Sequence, residues 1–208
     1  MRRHGQLGPM EWAALRRPVP GEKVCGDYPV AIAVGRHAAL FGVLDGLGHG
    51  KEAETAALTA VDAVHEARAE PLDVIVQKSH RALTTTRGVA MTLARIDFQT
   101  DTLSWIGIGN VTADLVAKSP SGVEVRSSAL LSGGIVGYRL PQSLVTHQVS
   151  IAPGDLLLIA SDGLTENHLE DIDFAAPATA IAEKTLGGYS RETDDALVLA
   201  ARHRGTSS

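Results

Sequence analysis

The chain has 208 residues, enough for one domain with a substantial core, with 44% hydrophobic residues, 21% charged residues and a net charge of −5. The acidic balance disfavours nonspecific nucleic-acid binding, and the single cysteine, Cys25, excludes an intrachain disulfide framework and a thiolate zinc cluster. No stretch approaches about 18 uninterrupted apolar residues and the basic start lacks an apolar signal core, so no membrane span or leader is predicted and a reducing, cytoplasmic setting is expected.

In chain order, "RRHGQLGPM" at the start and "RHRGTSS" at the end read as loose termini of a single domain, roughly 1–10 and 202–208. Residues 11–18 are a first strand. Residues 28–34 and 38–44 form a hairpin that turns at Gly35-Arg36-His37. From 50 to 69 the sequence is rich in Ala and Glu, with Ala53, Ala57, Val61 and Val64 on one helical face. Pro71 opens a second helix as its first residue, with a stripe of Leu72, Ile75, Val76 and Leu83; the short connection predicts an antiparallel helix pair.

The period then changes to two. "GVAMTLARID", "TLSWIGIGN", "ADLVAKSP" and "GVEVRSS" are short strands, and "SLVTHQVSIAPGDLLLIASDG" holds two more around Pro153-Gly154-Asp155. A helix over 175–186 and a last strand in "DDALVLAARH" complete the chain. Strands and helices are segregated rather than alternating, which argues against a doubly wound parallel sheet and for an α+β sandwich of antiparallel sheets with helices outside.

"FGVLDGLGHGKEAET" invites a phosphate-loop reading, and its spacing refutes it. Three residues, not four, separate Gly46 from Gly50, and Lys51 is followed by Glu52, which has no hydroxyl for magnesium. The glycines at 46, 48 and 50 do not fit a dinucleotide loop either.

The carboxylates make a better pattern. Asp27, Asp45, Asp162 and the pair Asp194-Asp195 all sit at the ends of apolar strands. Burying a carboxylate there is costly unless it is paired or metal-bound, and no matching set of basic residues flanks these strands. Hard divalent ions such as magnesium or manganese take oxygen ligands, so Asp side chains and an exposed carbonyl suit them. A glycine after Asp leaves its carbonyl free to turn toward an ion. Each Asp-Gly alone is far more often a turn than a metal site; it is the combination that points to metal.

"CGDYPV", "VLDGLGHGKEA", "RGVAMTLARID", "GIGNV", "IASDGL" and "TDDALVL" resemble, in order and spacing, the SpoIIE-type metal-dependent serine/threonine phosphatases, the bacterial branch of the protein-phosphatase-2C (PPM) class. The resemblance runs from about Lys23 to about Ala200 and is strongest to the short, stand-alone stressosome feedback members. It implies an αββα sandwich of two antiparallel sheets flanked by helices, with two ions, Mn2+ or Mg2+, in a cleft at one end. It implies that Asp45 bridges the ions, that the Gly46 carbonyl binds one, that Asp162 and Asp194 hold the other, and that Asp27 contacts an ion directly or through water. Asp45, Asp162 and Asp194 would then carry catalysis, a two-metal-activated water attacking phosphoserine or phosphothreonine, with Asp195 in support. Where the class often has an arginine before the first acidic motif, this chain has Glu22 and Lys23. His49 is a speculative proton donor, and a solvent-facing position is the plainer reading for it and for Lys23 and Lys51. The implied partners are phosphorylated STAS-domain stressosome proteins, met by a cytoplasmic monomer with no nucleic acid and no membrane. The alternatives are a phosphatase of an anti-sigma-factor antagonist, a non-catalytic docking module on the same fold, and another carboxylate-based metallohydrolase. The Gly-rich segment 130–145 is the expected place of substrate recognition.

Overall fold

The computed structural model describes residues 1–205. One sheet has the strand order β1 (Arg2–Leu7), β2 (Met10–Arg17), β12 (Ala196–His203), β11 (Leu156–Ala160), β7 (Thr112–Ser119), β8 (Gly122–Ser128). The other runs β10 (His147–Ser150), β6 (Thr102–Ile108), β5 (Val89–Asp97), β4 (Ala38–Gly46), β3 (Asp27–Val34). Both are antiparallel throughout, except that the short β9 (Leu131–Ser132) pairs with β6 in parallel. Helices α1 (Lys51–Ala67) and α2 (Leu72–Ala82) pack together on the second sheet, and α3 (Ala178–Tyr189) packs on the first.

Strand alternation builds these layers. Phe41 and Val43 of β4 face Leu157 and Ile159 of β11 and Leu197 and Leu199 of β12 between the sheets. The intervening Leu40 and Leu44 face Ala56, Ala60 and Val64 of α1, while Leu156, Leu158 and Val198 face Ile181 and Ala182 of α3. The result is the αββα sandwich that the strand and helix order predicts. Counting along the same alternation, Asp45, Ser161 and Asp195 continue the inward-facing rows past the end of the apolar core.

Three boundaries differ from the sequence reading. The N-terminal segment is not loose: β1 pairs with β2 from Arg2↔Leu15 to Leu7↔Met10, and the Met1 amine donates to the Arg16 carbonyl at 2.9 Å. It is an edge strand with charged, exposed side chains, so it carries no apolar alternation to read. At the other end, Arg202 and His203 belong to β12, Arg204 ion-pairs with Glu11 at 2.5 Å, and residues 206–208 lie outside the described residues. Helix α3 begins three residues later than expected because Pro177, extended at ψ 157, stands just before its first turn and biases the residue preceding it away from helix. Pro71 likewise flanks α2 rather than opening it. The Pro153-Gly154-Asp155 turn is not a hairpin; it carries the chain from β10 in one sheet to β11 in the other.

Phe41 is fully buried between the sheets, whereas Tyr138 is 80% exposed. Phe41→Ala is expected to lower the unfolding free energy by about 3–5 kcal/mol and Tyr138→Ala by less than about 0.5 kcal/mol, read as shifts of the urea midpoint. Equal shifts would contradict the sandwich core described above.

Candidate metal centre

β3 and β4 set Asp27 and Asp45 directly opposite each other, so their side chains share one face. The face is the inner one, at the end of the sandwich. β11 ends at Ala160, and Ser161-Asp162-Gly163 follows it; Asp194 and Asp195 lead into β12 beside it. The two sheets thus deliver acidic residues to one place from four separated stretches of sequence.

The hydrogen bonds fix the deeper members. Asp27 is buried and accepts a 2.7 Å bond from Ser161 Oγ. Ser161 Oγ in turn accepts from the Leu197 N–H at 2.9 Å, which ties β3 to β12 across the sandwich. Asp195 is also buried; its carboxylate accepts from the Val19 N–H at 2.7 Å and the Gly26 N–H at 2.6 Å. That pins the segment leading into the first acidic motif. Asp194 Oδ1 accepts from the Asp195 N–H at 2.8 Å. Asn110, in the turn after β6, donates from Nδ2 to Asp162 Oδ2 at 2.6 Å.

The glycines of the motifs are there for close approach. A Cβ on Gly46 would overlap the Ala53 carbonyl of α1, and a Cβ on Gly163 would overlap the Asp195 carbonyl. Each Asp-Gly therefore marks a place where a second backbone segment presses against the cleft floor. This is a tighter requirement than freeing a carbonyl to turn.

Electrostatically the site is overloaded with negative charge. Burial, then the charges of Asp27 and Asp162, push Asp45 up to about 10. Burial is also the main cause that raises Asp27, to about 7, with Ser161 pulling the other way and Asp195 pushing further. Asp27 and Asp45 stand opposite each other across the strand pair and repel, so a proton on one of them relieves the repulsion. Asp162 is raised too, first by burial and then by Asp194. Among the described residues none of these four carboxylates forms an ion pair with a lysine or arginine.

This donor set fits hard divalent cations: it is all oxygen, mutually repelling and without an internal counter-ion. No three Asp, Glu, His or Cys side chains among the described residues converge on a single metal position; Asp27 is engaged with Ser161 and Asp162 with Asn110. Ser161 and Asn110 are site residues that the sequence reading missed, although both lie in its "IASDGL" and "GIGNV" motifs. His49 and Lys51 stay outside the cluster. His49 Nδ1 lies 3.1 Å from Glu22 Oε1, with the imidazole largely in solvent, and Lys51 is exposed at the start of α1. Cys25 is a buried thiol pushed up to about 12 by burial, an inert packing residue.

Because Asp27 and Asp45 hold their protons more tightly folded than unfolded, they stabilise the protein fully below about pH 4 and lose that contribution as pH rises through about 7 and then about 10. The chelator-treated protein should therefore melt at progressively lower temperature from pH 6 to pH 9, and Asp45→Asn should flatten that slope. A wild-type melting temperature that rises over this range would contradict the charge crowding.

The family model described as Stage II sporulation protein E (SpoIIE) matches residues 35–204. The chain is 28% identical over 144 residues, 69% of each protein, to Phosphoserine phosphatase RsbX of Bacillus subtilis (strain 168). It matches a solved chain from "The bacterial stressosome: a modular system that has been adapted to control secondary messenger signaling" at 30% identity and TM-score 0.83, covering 93% of this chain and 99% of that one. RsbX in complex with magnesium shares the fold at TM-score 0.80 and 22% identity, over 97% of this chain and 98% of the other. With the model spanning most of the chain and the sandwich ending in this carboxylate cluster, the chain belongs to the SpoIIE family of PP2C-type phosphatases.

Proposed function

We propose that the protein is a cytoplasmic, monomeric phosphoserine/phosphothreonine phosphatase that acts on phosphorylated STAS-domain proteins of a stressosome, as feedback in bacterial stress signalling. The observation that carries the catalytic part is the set of four mutually repelling carboxylates, none in an ion pair among the described residues, at one end of an αββα sandwich. The stressosome part is supported by the likeness to RsbX and to the stressosome chain. No helix among the described residues is long and apolar enough to cross a membrane.

Two divalent ions, Mn2+ or Mg2+, would be held by Asp27, Asp45, the Gly46 carbonyl, Asp162 and Asp194. When bound, they supply Lewis-acid charge and an activated water for in-line displacement at phosphorus. The chain's own part is positioning. Asp45 stands opposite Asp27 and within the field of Asp162 and Asp194, so its carboxylate would hold the ions together with theirs. Ser161 holds Asp27, and Asn110 orients the carboxylate of Asp162. Asp195 works from behind, through Val19 and Gly26.

Asp45→Ala is expected to reduce manganese-dependent phosphate release from a phosphoserine STAS protein at least about 100-fold, while the variant remains folded by circular dichroism. Near-wild-type turnover by that variant would defeat the two-metal assignment. Wild-type binding of the phosphoprotein without turnover would identify a docking module instead.

A further inference from the structure

Two divalent ions only offset four carboxylates, and a phosphoserine brings close to two further negative charges at neutral pH. Attraction of that dianion into the cleft needs a cation that the acidic cluster has not already consumed. Most basic groups around the cleft mouth are engaged: Arg87 ion-pairs with Glu52 of α1, and His49 sits on Glu22. Lys23 and Lys51 are not among the leading charges acting on Asp27, Asp45 or Asp162.

Arg191 is different. Its backbone lies against the Asp162-Gly163 turn: the Arg191 N–H donates to the Gly163 carbonyl at 2.7 Å, and the neighbouring Ser190 forms a bridge with Leu164. The Thr165 N–H donates to the Tyr189 carbonyl at 2.9 Å, continuing that short ladder. The Arg191 carbonyl accepts from the Arg17 guanidinium, so the residue is held from both sides. Its own side chain is exposed and has no hydrogen-bond or ion-pair partner among the described residues. These backbone contacts set Arg191 beside the Asp162-Gly163 turn, and its charge acts on Asp162 in the direction opposite to burial and Asp194.

We infer that Arg191 is the substrate-binding cation of this cleft, a free guanidinium carried on a fixed backbone at the lip, which receives the phosphate monoester dianion of the phosphoprotein. The inference rests on the phosphatase reading above. A planar guanidinium forks onto two phosphate oxygens at once, which orients the phosphorus as well as attracting it, and a lysine cannot reproduce that fork.

The test compares wild type, Arg191→Ala and Arg191→Lys, each loaded with Mn2+, by calorimetry with inorganic phosphate, by Mn2+ titration, and by steady-state kinetics on a phosphoserine STAS protein. Arg191→Ala should weaken inorganic phosphate binding and raise KM, each by about 10–100-fold, with a smaller fall in kcat, and Mn2+ affinity should stay within about 2-fold of wild type. Arg191→Lys should recover part of the phosphate affinity. Unchanged phosphate affinity and KM in an Arg191→Ala variant, beside an active wild type, would overturn this role alone. Loss of Mn2+ affinity in parallel with phosphate affinity would overturn it in favour of a structural role. A wild-type protein that neither binds nor releases phosphate would remove the phosphatase reading and this inference with it.

Discussion

Asp27 and Asp45 face each other as a cross-strand pair where β3 and β4 leave the apolar core, and two carboxylates in that position cannot both carry full charge without a proton or a cation between them. The rest of the site is arranged around that constraint. Asp162 and Asp194 bring further carboxylates from the opposite sheet, and each accepts a hydrogen bond, from the Asn110 side chain and from the Asp195 N–H. A fold built only for stability has no use for such crowding, because apolar side chains of similar volume at these positions would remove the repulsion. The stability given up is recovered when cations bind.

The scaffold can hold this arrangement because the carboxylates stand on strands, not on long loops. Leu157, Ile159, Leu197 and Leu199 fix the strands that carry Ser161 and Asp195, and Phe41 and Val43 fix the one that carries Asp45. Gly46 and Gly163 then let α1 and the entry to β12 close in upon the floor of the cleft with no side chain between. Ser161 joins the halves: one hydroxyl donates to Asp27 from one sheet and accepts from Leu197 of the other. Relative movement of the sheets would therefore move Asp27, which ties the position of this carboxylate to the interior packing.

Much of this was legible in the amino-acid sequence, for identifiable reasons. The period of two in "LFGVLDG" and "DLLLIASDG" shows strands with one buried face, and the acidic residue at the end of each marks where that face meets solvent. The helix pair follows from periodicity and a short connection, the sandwich with outer helices from the segregated order of strands and helices, and the αββα arrangement from the family resemblance. Other features left no such trace. The first strand is an exposed edge held by backbone pairing, so its side chains do not alternate. The late start of α3 depends on one proline overriding good helix formers. Ser161, Asn110 and Arg191 owe their importance to neighbours distant in sequence, and only the assembled sheets bring those neighbours together. The motif glycines were visible, but their reason was not: it lies in backbone segments far away in the chain that come too close for a Cβ.

Protons on Asp27 and Asp45 stand where the proposed cations would bind. Calorimetric titration of the chelator-treated protein with Mn2+ near pH 7, repeated in buffers of different ionisation enthalpy, measures that exchange directly. Saturable binding that releases protons from the Asp27–Asp45 pair and tightens between pH 6 and pH 8 is the predicted result. Saturable binding with no proton release, or no saturable binding at all, would contradict it.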